Sequence, residues 1–259
     1  MSTAIGLDHV AFAVRDLDAA SADLAALGFH LTPIAPHTDA TGTPTGTANR
    51  CAMLGDGYIE LIATIDPARP SRTLAGFIER YEGAHILSLT VTDATAAQAR
   101  LAAAGLSIAI ATTARPTPYG IARFERLPLT TTSPRLQLIQ HHTPDLVWRP
   151  EDITHPNGAT ALTEVIIASA APAETAALLC RLAGRPLRPD PAGGFALPLA
   201  AGCIRIFAPD VVARVLPGIA CPPAPAIAAI VVATTGAGRR GTIGGTTIIV
   251  GDRKEALLF

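Results

Sequence analysis

The alternation of apolar and polar residues near the start of the chain predicts a strand over residues 7–14 with two different faces. Val10, Phe12 and Val14 share one face, which is typical of a packed core, whereas His9 lies on the other face beside two alanines. A histidine among small residues leaves space in front of its ring. This face therefore suits a ligand better than it suits a packed interior.

A helix over residues 16–27, closed by a glycine, follows this strand, and the whole pattern returns 77 residues later. At that offset Gly28 aligns with Gly105, and the predicted strand that contains Glu60 aligns with the one that contains Gln137. The match runs without a gap from strand through helix to final strand. We therefore predict two copies of one unit, strand, helix and three strands, in the first part of the chain.

The remaining predicted elements of the two copies come from short apolar or alternating runs bounded by glycine and proline. The predicted strands are Phe29–Ile34, Asn49–Leu54, Tyr58–Ala63, Ser107–Ala111, Ile121–Leu127 and Arg135–Gln140. The Thr-, Gly- and Pro-rich segment His37–Thr47 is predicted as a loop, and a short helix is expected over Leu74–Arg80.

A third copy and a worn fourth copy are predicted beyond a polar, proline-bearing connector. The third has a strand at 162–167 and a helix over Pro172–Ala183, and the fourth ends in a strand at Ala256–Phe259. The glycines between 236 and 245 lack the spacing of a phosphate-binding loop, so hairpin turns are predicted there. The domain organisation expected is a first domain at 1–142 (units 5–65 and 84–141), a connector at 143–160 and a second domain at 161–259.

Composition narrows the classes of partner. The chain has 20 basic and 21 acidic residues and no basic stripe, which disfavours nucleic acid and anionic membranes as partners. Its four cysteines lie far apart, as in reduced cytoplasmic proteins. We read no export signal and no apolar run long enough to span a membrane. We therefore expect a cytoplasmic protein that binds a small molecule, and a homodimer is left open.

Four strand-helix-three-strand units resemble the vicinal oxygen chelate (VOC) superfamily, and more narrowly its glyoxalase-like branch. The segments that carry the resemblance are Leu7-Asp8-His9-Val10, Gly46-Thr47-Ala48-Asn49, Asp56-Gly57-Tyr58-Ile59-Glu60-Leu61 and His155-Pro156-Asn157-Gly158. It implies an α+β fold in which paired βαβββ modules form curled mixed sheets, or cups. Members include lyases, isomerases, dioxygenases and metal-free binding proteins, so the fold alone leaves the reaction open.

The resemblance also implies a metal site, whose four positions fall here on His9, Glu60, Ile86 and Gln137. His9 and Glu60 suit Zn, Mn, Fe or Ni, and Gln137 is a weaker neutral donor. Ile86 cannot bind a metal. The neighbouring His85 faces the other side of the strand unless a bulge turns it inward, so His141 is the substitute considered. One divalent metal and no nucleotide cofactor are the expectation.

Three further residues are predicted to bind substrate: His37 and Asn49, which flank the predicted loop, and His141. Glu60 is the predicted catalytic base. The structural alternatives are a hydrogen-bonded His9 that only lines the cup and a Glu60 paired with an arginine, Arg50 or Arg123.

In the second half, Glu164 takes the place of His9 and Arg205 that of Glu60, which predicts an ion pair rather than a metal site. No Ser/His/Asp order stands out as a nucleophilic array. The sequence therefore favours the first cup as the working site. Two functions remain: a metal-dependent lyase, isomerase or dioxygenase, and a metal-free protein that binds or sequesters a small molecule.

Overall fold

The computed structural model describes residues 3–39 and 41–251, and these fold into helices and strands in the order expected of an α+β protein. The strands are β1 Gly6–Ala13, β2 Ala35–Thr38, β3 Pro44–Met53, β4 Tyr58–Thr64, β5 Gly83–Thr90, β6 Ala111–Thr117, β7 Gly120–Leu129, β8 Arg135–His141, β9 Ala159–Ala168, β10 Arg188–Pro189, β11 Phe195–Pro198, β12 Cys203–Phe207, β13 Ala226–Thr234, β14 Arg239–Ile243 and β15 Thr246–Val250. The helices are α1 Leu17–Ala26, α2 Arg72–Arg80, α3 Ala94–Ala103, α4 Pro172–Ala183 and α5 Pro209–Val215, with a 3₁₀ turn at Pro144–Leu146.

The first eight strands form one sheet in the order β2-β3-β4-β1-β5-β8-β7-β6. Burial lowers the pKa of His37 on β2, and the charge of Arg115 on β6 adds to this effect, which indicates that the two edge strands of the curled sheet approach each other. Its concave face, lined among others by His9, Glu60 and Gln137, is called the first cup below. The convex face packs against helices through a core that includes Val10, Phe12 and Val14, as predicted.

The repeat predicted at an offset of 77 residues is present in the strand register. Ala11 pairs with Glu60 in the parallel strands β1 and β4, and Ser88 pairs with Gln137 in the parallel strands β5 and β8. Glu60 and Gln137 therefore occupy equivalent strands of two units related by an approximate twofold axis between β1 and β5.

The antiparallel pairing of β1 with β5 is interrupted once in each unit. The register steps from Leu7 to His9 on β1 and from Ile86 to Ala84 on β5, so that Asp8 and His85 are the unpaired residues. Such β-bulges bend the strand and re-aim side chains that regular alternation would place on the opposite face. These two irregularities decide which residues reach the first cup.

The other seven strands form a second sheet in the order β10-β11-β12-β9-β13-β15-β14. The predicted hairpin is present, since Ile243 pairs with Thr246 at its turn. No helix separates β13 from β14 in the fourth unit, in agreement with the incomplete repeat pattern of its sequence. The predicted last strand, Ala256–Phe259, lies outside the described residues.

Three local predictions were wrong. The segment predicted as a loop at His37–Thr47 contains the end of β2 and the start of β3, and Thr47 pairs with Thr64. Threonine is β-branched and favours a pleated strand, which outweighs the turn signal of its neighbours. The strands predicted at Phe29–Ile34 and Ser107–Ala111 begin later, at Ala35 and Ala111, because extended segments precede them.

The connector lies against the first sheet. The ring of His155 accepts a hydrogen bond from the backbone N–H of His30, and Asn157 Nδ2 donates to the carbonyl of Leu27. Gly28 has a φ of 87°, and a Cβ there would lie 2.8 Å from that of Asn157, so glycine is required for this close approach. The core of the first sheet also continues into residues of the second. The division into two domains stays a prediction.

Within the described residues, we find no helix with the length and apolarity needed to cross a membrane. The cytoplasmic location and the homodimer stay expectations from the sequence.

Candidate functional site

The bulge at Asp8 places its carboxylate beside the histidine that follows it. His9 Nδ1 lies 2.6 Å from Asp8 Oδ1, and His141 Nε2 lies 3.0 Å from Asp8 Oδ2. Burial alone raises the pKa of Asp8, but hydrogen bonds from His141 and His9 outweigh it and hold the pKa well below its usual value. An ionised carboxylate can only accept hydrogen bonds. His9 therefore carries a proton on Nδ1 and His141 carries one on Nε2.

The other nitrogen of His9 faces a polar pair on the second unit. Ser88 Oγ lies 2.8 Å from His9 Nε2 and accepts a hydrogen bond of 2.6 Å from Gln137 Nε2. Asp8, His9 and Ser88 thus form a Ser/His/Asp array that the sequence analysis did not recognise. The side chain of Ser88 is completely buried, so the array orients His9 and offers no accessible nucleophile.

The predicted base stands next to the same histidine nitrogen. Glu60 Oε2 lies 3.8 Å from His9 Nε2, and Glu60 Oε1 accepts a hydrogen bond from the amide of Asn49. Among the described residues neither Arg50 nor Arg123 forms an ion pair with Glu60, and Arg50 donates to the carbonyl of Thr32. Glu60 is only 8 % exposed. Its carboxylate is therefore oriented by an amide rather than neutralised by a guanidinium group.

His37 lies near this carboxylate, with Nδ1 2.9 Å from the hydroxyl of Thr47 and a buried Nε2 that has no hydrogen-bond partner among the described residues. Burial, followed by the charge of Arg115, lowers the pKa of His37, so its ring is neutral at pH 7. The Glu60 charge and the Asn49 amide act in the opposite direction. An unpartnered ring nitrogen at this position is free to bond a ligand.

Aromatic rings form one wall of the first cup. Tyr58 stacks on His9 with ring centroids 4.5 Å apart, and Trp148 of the connector contacts both Tyr58 and His141 edge-on. His141 Nδ1 is buried without a hydrogen-bond partner within the described part of the chain. Burial raises the pKa of the Tyr58 hydroxyl, so it is neutral at pH 7. The wall is apolar on its face and presents ring nitrogens at its edge.

The sequence analysis placed His85 on the outer face of the sheet unless a bulge turned it inward. The structure has a bulge at this residue. His85 lies between two aromatic side chains, with ring centroids 4.7 Å from Phe77 and 4.0 Å from Tyr81, and Arg135 lies over the ring of Phe77. Burial lowers the pKa of His85 to about 4. It contacts none of the predicted metal ligands and belongs to an aromatic cluster at the end of the sheet.

The first cup brings the six predicted site residues together, and their roles stay predictions. The members of this set are His9, His37, Asn49, Glu60, Gln137 and His141. Sequence reasoning missed Asp8 and Ser88. The sequence could have revealed Ser88, because alternation along the strand places Ser88 on the same face as Ile86. Asp8 could not be found in this way, because its position depends on the bulge.

The donor set does not complete the metal site that the superfamily implies. His9 and Glu60 are two strong ligands, but Ile86 and Gln137 replace the others, and Ser88 already bonds the nitrogen of His9 that would face the ion. His141, the substitute considered, is bonded to Asp8. Among the described residues, no group of three or more His, Cys, Asp or Glu side chains is arranged to hold a metal ion.

The interior face of the second sheet, called the second cup below, contains the expected ion pair. Arg205 Nε lies 3.3 Å from Glu164 Oε2, and Arg205 Nη1 lies 3.4 Å from Asp190 Oδ2. Glu164 is 1 % exposed. Glu164 and Arg205 thus face one interior, as predicted, and the arrangement is that of a structural charge cluster.

A family model described as a glyoxalase-like domain matches residues 7–183, which include the whole first cup. The chain belongs to this family. No curated protein matches the sequence of the chain. The expected VOC relationship is thereby confirmed, and so is the α+β fold with curled sheets.

Solved structures are similar in fold across nearly the whole chain. A hypothetical protein from Staphylococcus aureus has a TM-score of 0.71 at 13 % identity, with 95 % of this chain and 98 % of that chain covered. A mutant of 4-hydroxymandelate synthase from Streptomyces coelicolor has a TM-score of 0.63 at 17 % identity, with coverages of 90 % and 71 %. A xylose isomerase-like TIM barrel/4-hydroxyphenylpyruvate dioxygenase fusion protein has a TM-score of 0.55 at 16 % identity, with coverages of 90 % and 37 %. At these identities the likeness concerns the fold alone.

Proposed function

We propose that the chain is an enzyme that moves a proton on a small oxygen-bearing molecule held in the first cup, in an isomerase-type reaction next to a carbonyl group. The observation that carries the proposal is the position of Glu60, whose Oε2 lies 3.8 Å from His9 Nε2 in a buried interior. A carboxylate held in place by an amide, with no guanidinium group of the described residues within 4.0 Å, is positioned to act as a general base.

Each residue has a defined part in this reaction. Glu60 takes the proton from the carbon next to the carbonyl group, and Asn49 holds its carboxylate in place. The resulting enolate carries its charge on oxygen, where His37 Nε2 donates a hydrogen bond as a neutral ring. Glu60 then returns the proton to the same carbon, or to the former carbonyl carbon after the neighbouring hydroxyl group has passed its proton to the enolate oxygen, so that protons and electrons balance. Asp8 and Ser88 fix the ring of His9 beside the base.

We derive this reaction from side chains alone, because the donor set for a divalent ion is incomplete. The superfamily expectation of a metal-dependent lyase or dioxygenase needs ligands at the positions of Ile86 and Gln137. The similarity in fold to a synthase and to a dioxygenase fusion protein does not supply the metal-binding residues that this chain lacks at these positions.

The second candidate is a protein that binds a small molecule in the first cup without chemistry. It is favoured by one observation, the hydrogen bond of Ser88 to His9, which saturates a nitrogen that catalysis would otherwise use. In this case the buried polar groups of the cup serve only to recognise the ligand.

Exchange of carbon-bound hydrogen for deuterium separates the two candidates. Dihydroxyacetone, which is neutral, and pyruvate, which is an anion, are incubated with the protein in deuterated water and followed by proton NMR. The proposal predicts exchange above the buffer rate with at least one probe, and loss of that exchange in Glu60→Gln.

The matched control is Glu164→Gln in the second cup, which removes a buried carboxylate of the same kind and should keep the exchange. Exchange that is equal in the parent protein and in Glu60→Gln would contradict the proposal. So would the absence of exchange with both probes, and probe binding without exchange would establish the binding-protein alternative.

A further inference from the structure

Three arginines on neighbouring strands lie beside the first cup, and none of them has a carboxylate of the described residues within 4.0 Å. Arg115 on β6 lies over the ring of Phe124, 5.9 Å from its centroid, and Phe124 in turn contacts His141 of the cup. Arg126 on β7 donates from Nη2 to the hydroxyl of Thr113 at 3.0 Å. Arg135 on β8 lies over the ring of Phe77, 5.2 Å from its centroid, and is near enough to Arg126 for their charges to interact. The three residues are called the arginine cluster below.

The arginine cluster has many unused donors. Each guanidinium group has five N–H donors, yet among the described residues only Arg126 Nη2 has a protein acceptor. Arg135 Nε is buried with no hydrogen-bond partner there. None of the three forms an ion pair within 4.0 Å with a described carboxylate. A buried donor without a partner, such as Arg135 Nε, destabilises a fold, so its retention needs another reason.

The charges of the cluster also act on one another and on the cup. Burial lowers the pKa of Arg126, and although the Glu60 charge opposes this, Arg115 adds to it. Burial and the charge of Arg126 likewise lower the pKa of Arg135. Against three guanidinium groups stand two carboxylates of the cup, Asp8 and Glu60. The mutual repulsion of the guanidinium groups favours an additional anion between them.

We infer that the arginine cluster binds the carboxylate group of the molecule held in the first cup, so that the ligand is a small organic acid. The planar guanidinium group matches a carboxylate with two parallel hydrogen bonds. One buried ring nitrogen without a partner among the described residues, His37 Nε2, remains to donate a hydrogen bond to another oxygen of the ligand. The inference rests on the proposed function in one respect: it takes the first cup as the working site.

Calorimetric titration with matched probes tests the inference independently of any reaction. Pyruvate and pyruvamide share the ketone and differ in charge, and inorganic phosphate supplies an anion of another class. The parent protein should bind pyruvate at least about tenfold more tightly than it binds pyruvamide or phosphate, the scale of a charge-assisted bond. Equal binding of pyruvate and pyruvamide, tighter binding of phosphate, or no binding of pyruvate would overturn the inference.

Variants on one strand supply the controls. Arg126→Met should weaken pyruvate binding at least about tenfold and melt no lower than the parent, because it removes a half-buried charge that has no described carboxylate within 4.0 Å. Arg123→Met changes an exposed arginine of the same strand and should bind like the parent. A variant Arg126→Met that binds pyruvate normally would overturn the inference.

The result is separable from that of the exchange experiment. Tight pyruvate binding without exchange leaves the inference standing and removes the proposed reaction. Hydrogen exchange of dihydroxyacetone, combined with equal binding of pyruvate and pyruvamide, would support the proposed reaction and overturn the inference about the arginine cluster.

Discussion

Asp8 and His9 are neighbours in sequence, yet their side chains meet at 2.6 Å on one face of the sheet. A regular strand would place them on opposite faces. The bulge at Asp8 removes this constraint and is mirrored by the bulge at His85 in the second unit. In one unit the bulged residue supplies a buried carboxylate to the cup, and in the other it supplies a ring to an aromatic cluster.

The first prediction concerns Asp8→Asn. The folded-state pKa of Asp8 lies below the usual 3.8, so its ionisation stabilises the fold above about pH 4 and this contribution is lost as the pH falls toward the folded-state value. Asp8→Asn should reduce the free energy of unfolding at pH 7 by about 3 kcal/mol, the scale of hydrogen bonds to a charged group. The difference from the parent should shrink below pH 4.

Urea unfolding between pH 7 and pH 2 measures this difference. Asp23→Asn, at an exposed carboxylate, is the control and should follow the parent at every pH. A difference between the parent and Asp8→Asn that is constant over this range would contradict the assigned ionisation of Asp8.

The second prediction concerns the buried ring of His85. Its folded-state pKa of about 4 lies below the usual 6.5, so the unfolded chain binds more protons between these values. The free energy of unfolding should therefore fall as the pH drops from about 6.5 to about 4. His85→Phe keeps a ring between Phe77 and Tyr81 but cannot titrate, and should lose this part of the pH dependence.

Thermal melts at pH 7.5 and pH 4.5 provide the measurement. His142→Phe removes one histidine elsewhere and should keep the parental difference between the two melts. If His85→Phe shows the same difference as the parent, protonation of His85 is not its source.

The third prediction concerns the second cup. Arg205→Met leaves Glu164 and Asp190 buried without their guanidinium partner, which should reduce the free energy of unfolding by about 3–5 kcal/mol. Chemical denaturation measures it, with the exposed Arg188→Met as control. The double variant Arg205→Met with Glu164→Gln should recover part of the loss. An Arg205→Met protein as stable as the parent would show that the cluster is not structural.

The sequence contained most of the architecture because its repeat is explicit. The offset that aligns Gly28 with Gly105 also places Glu60 and Gln137 on equivalent strands, and period-two alternation assigns His9 to the cup. These signals are local and periodic. They depend on no long-range contact and could therefore be interpreted from the chain alone.

What the sequence analysis missed depends on irregularity or on long-range contact. A bulge has no fixed sequence signal, so Asp8 escaped notice until the register of β1 with β5 was visible. The arginine cluster is assembled from three strands, and only the curl of the sheet directs Arg115 toward His37. Threonine-rich residues 44–47 were misassigned because turn and strand propensities compete there.

The central claim is that the first cup is where the small molecule binds, and the single tryptophan of the chain tests it most directly. Trp148 contacts Tyr58 and His141 in the wall of this cup, so a ligand that enters should change its fluorescence. We predict a saturable change on titration with pyruvate or dihydroxyacetone, with the midpoint found by calorimetry. Calorimetric binding with no change in Trp148 fluorescence would place the ligand elsewhere and contradict the account.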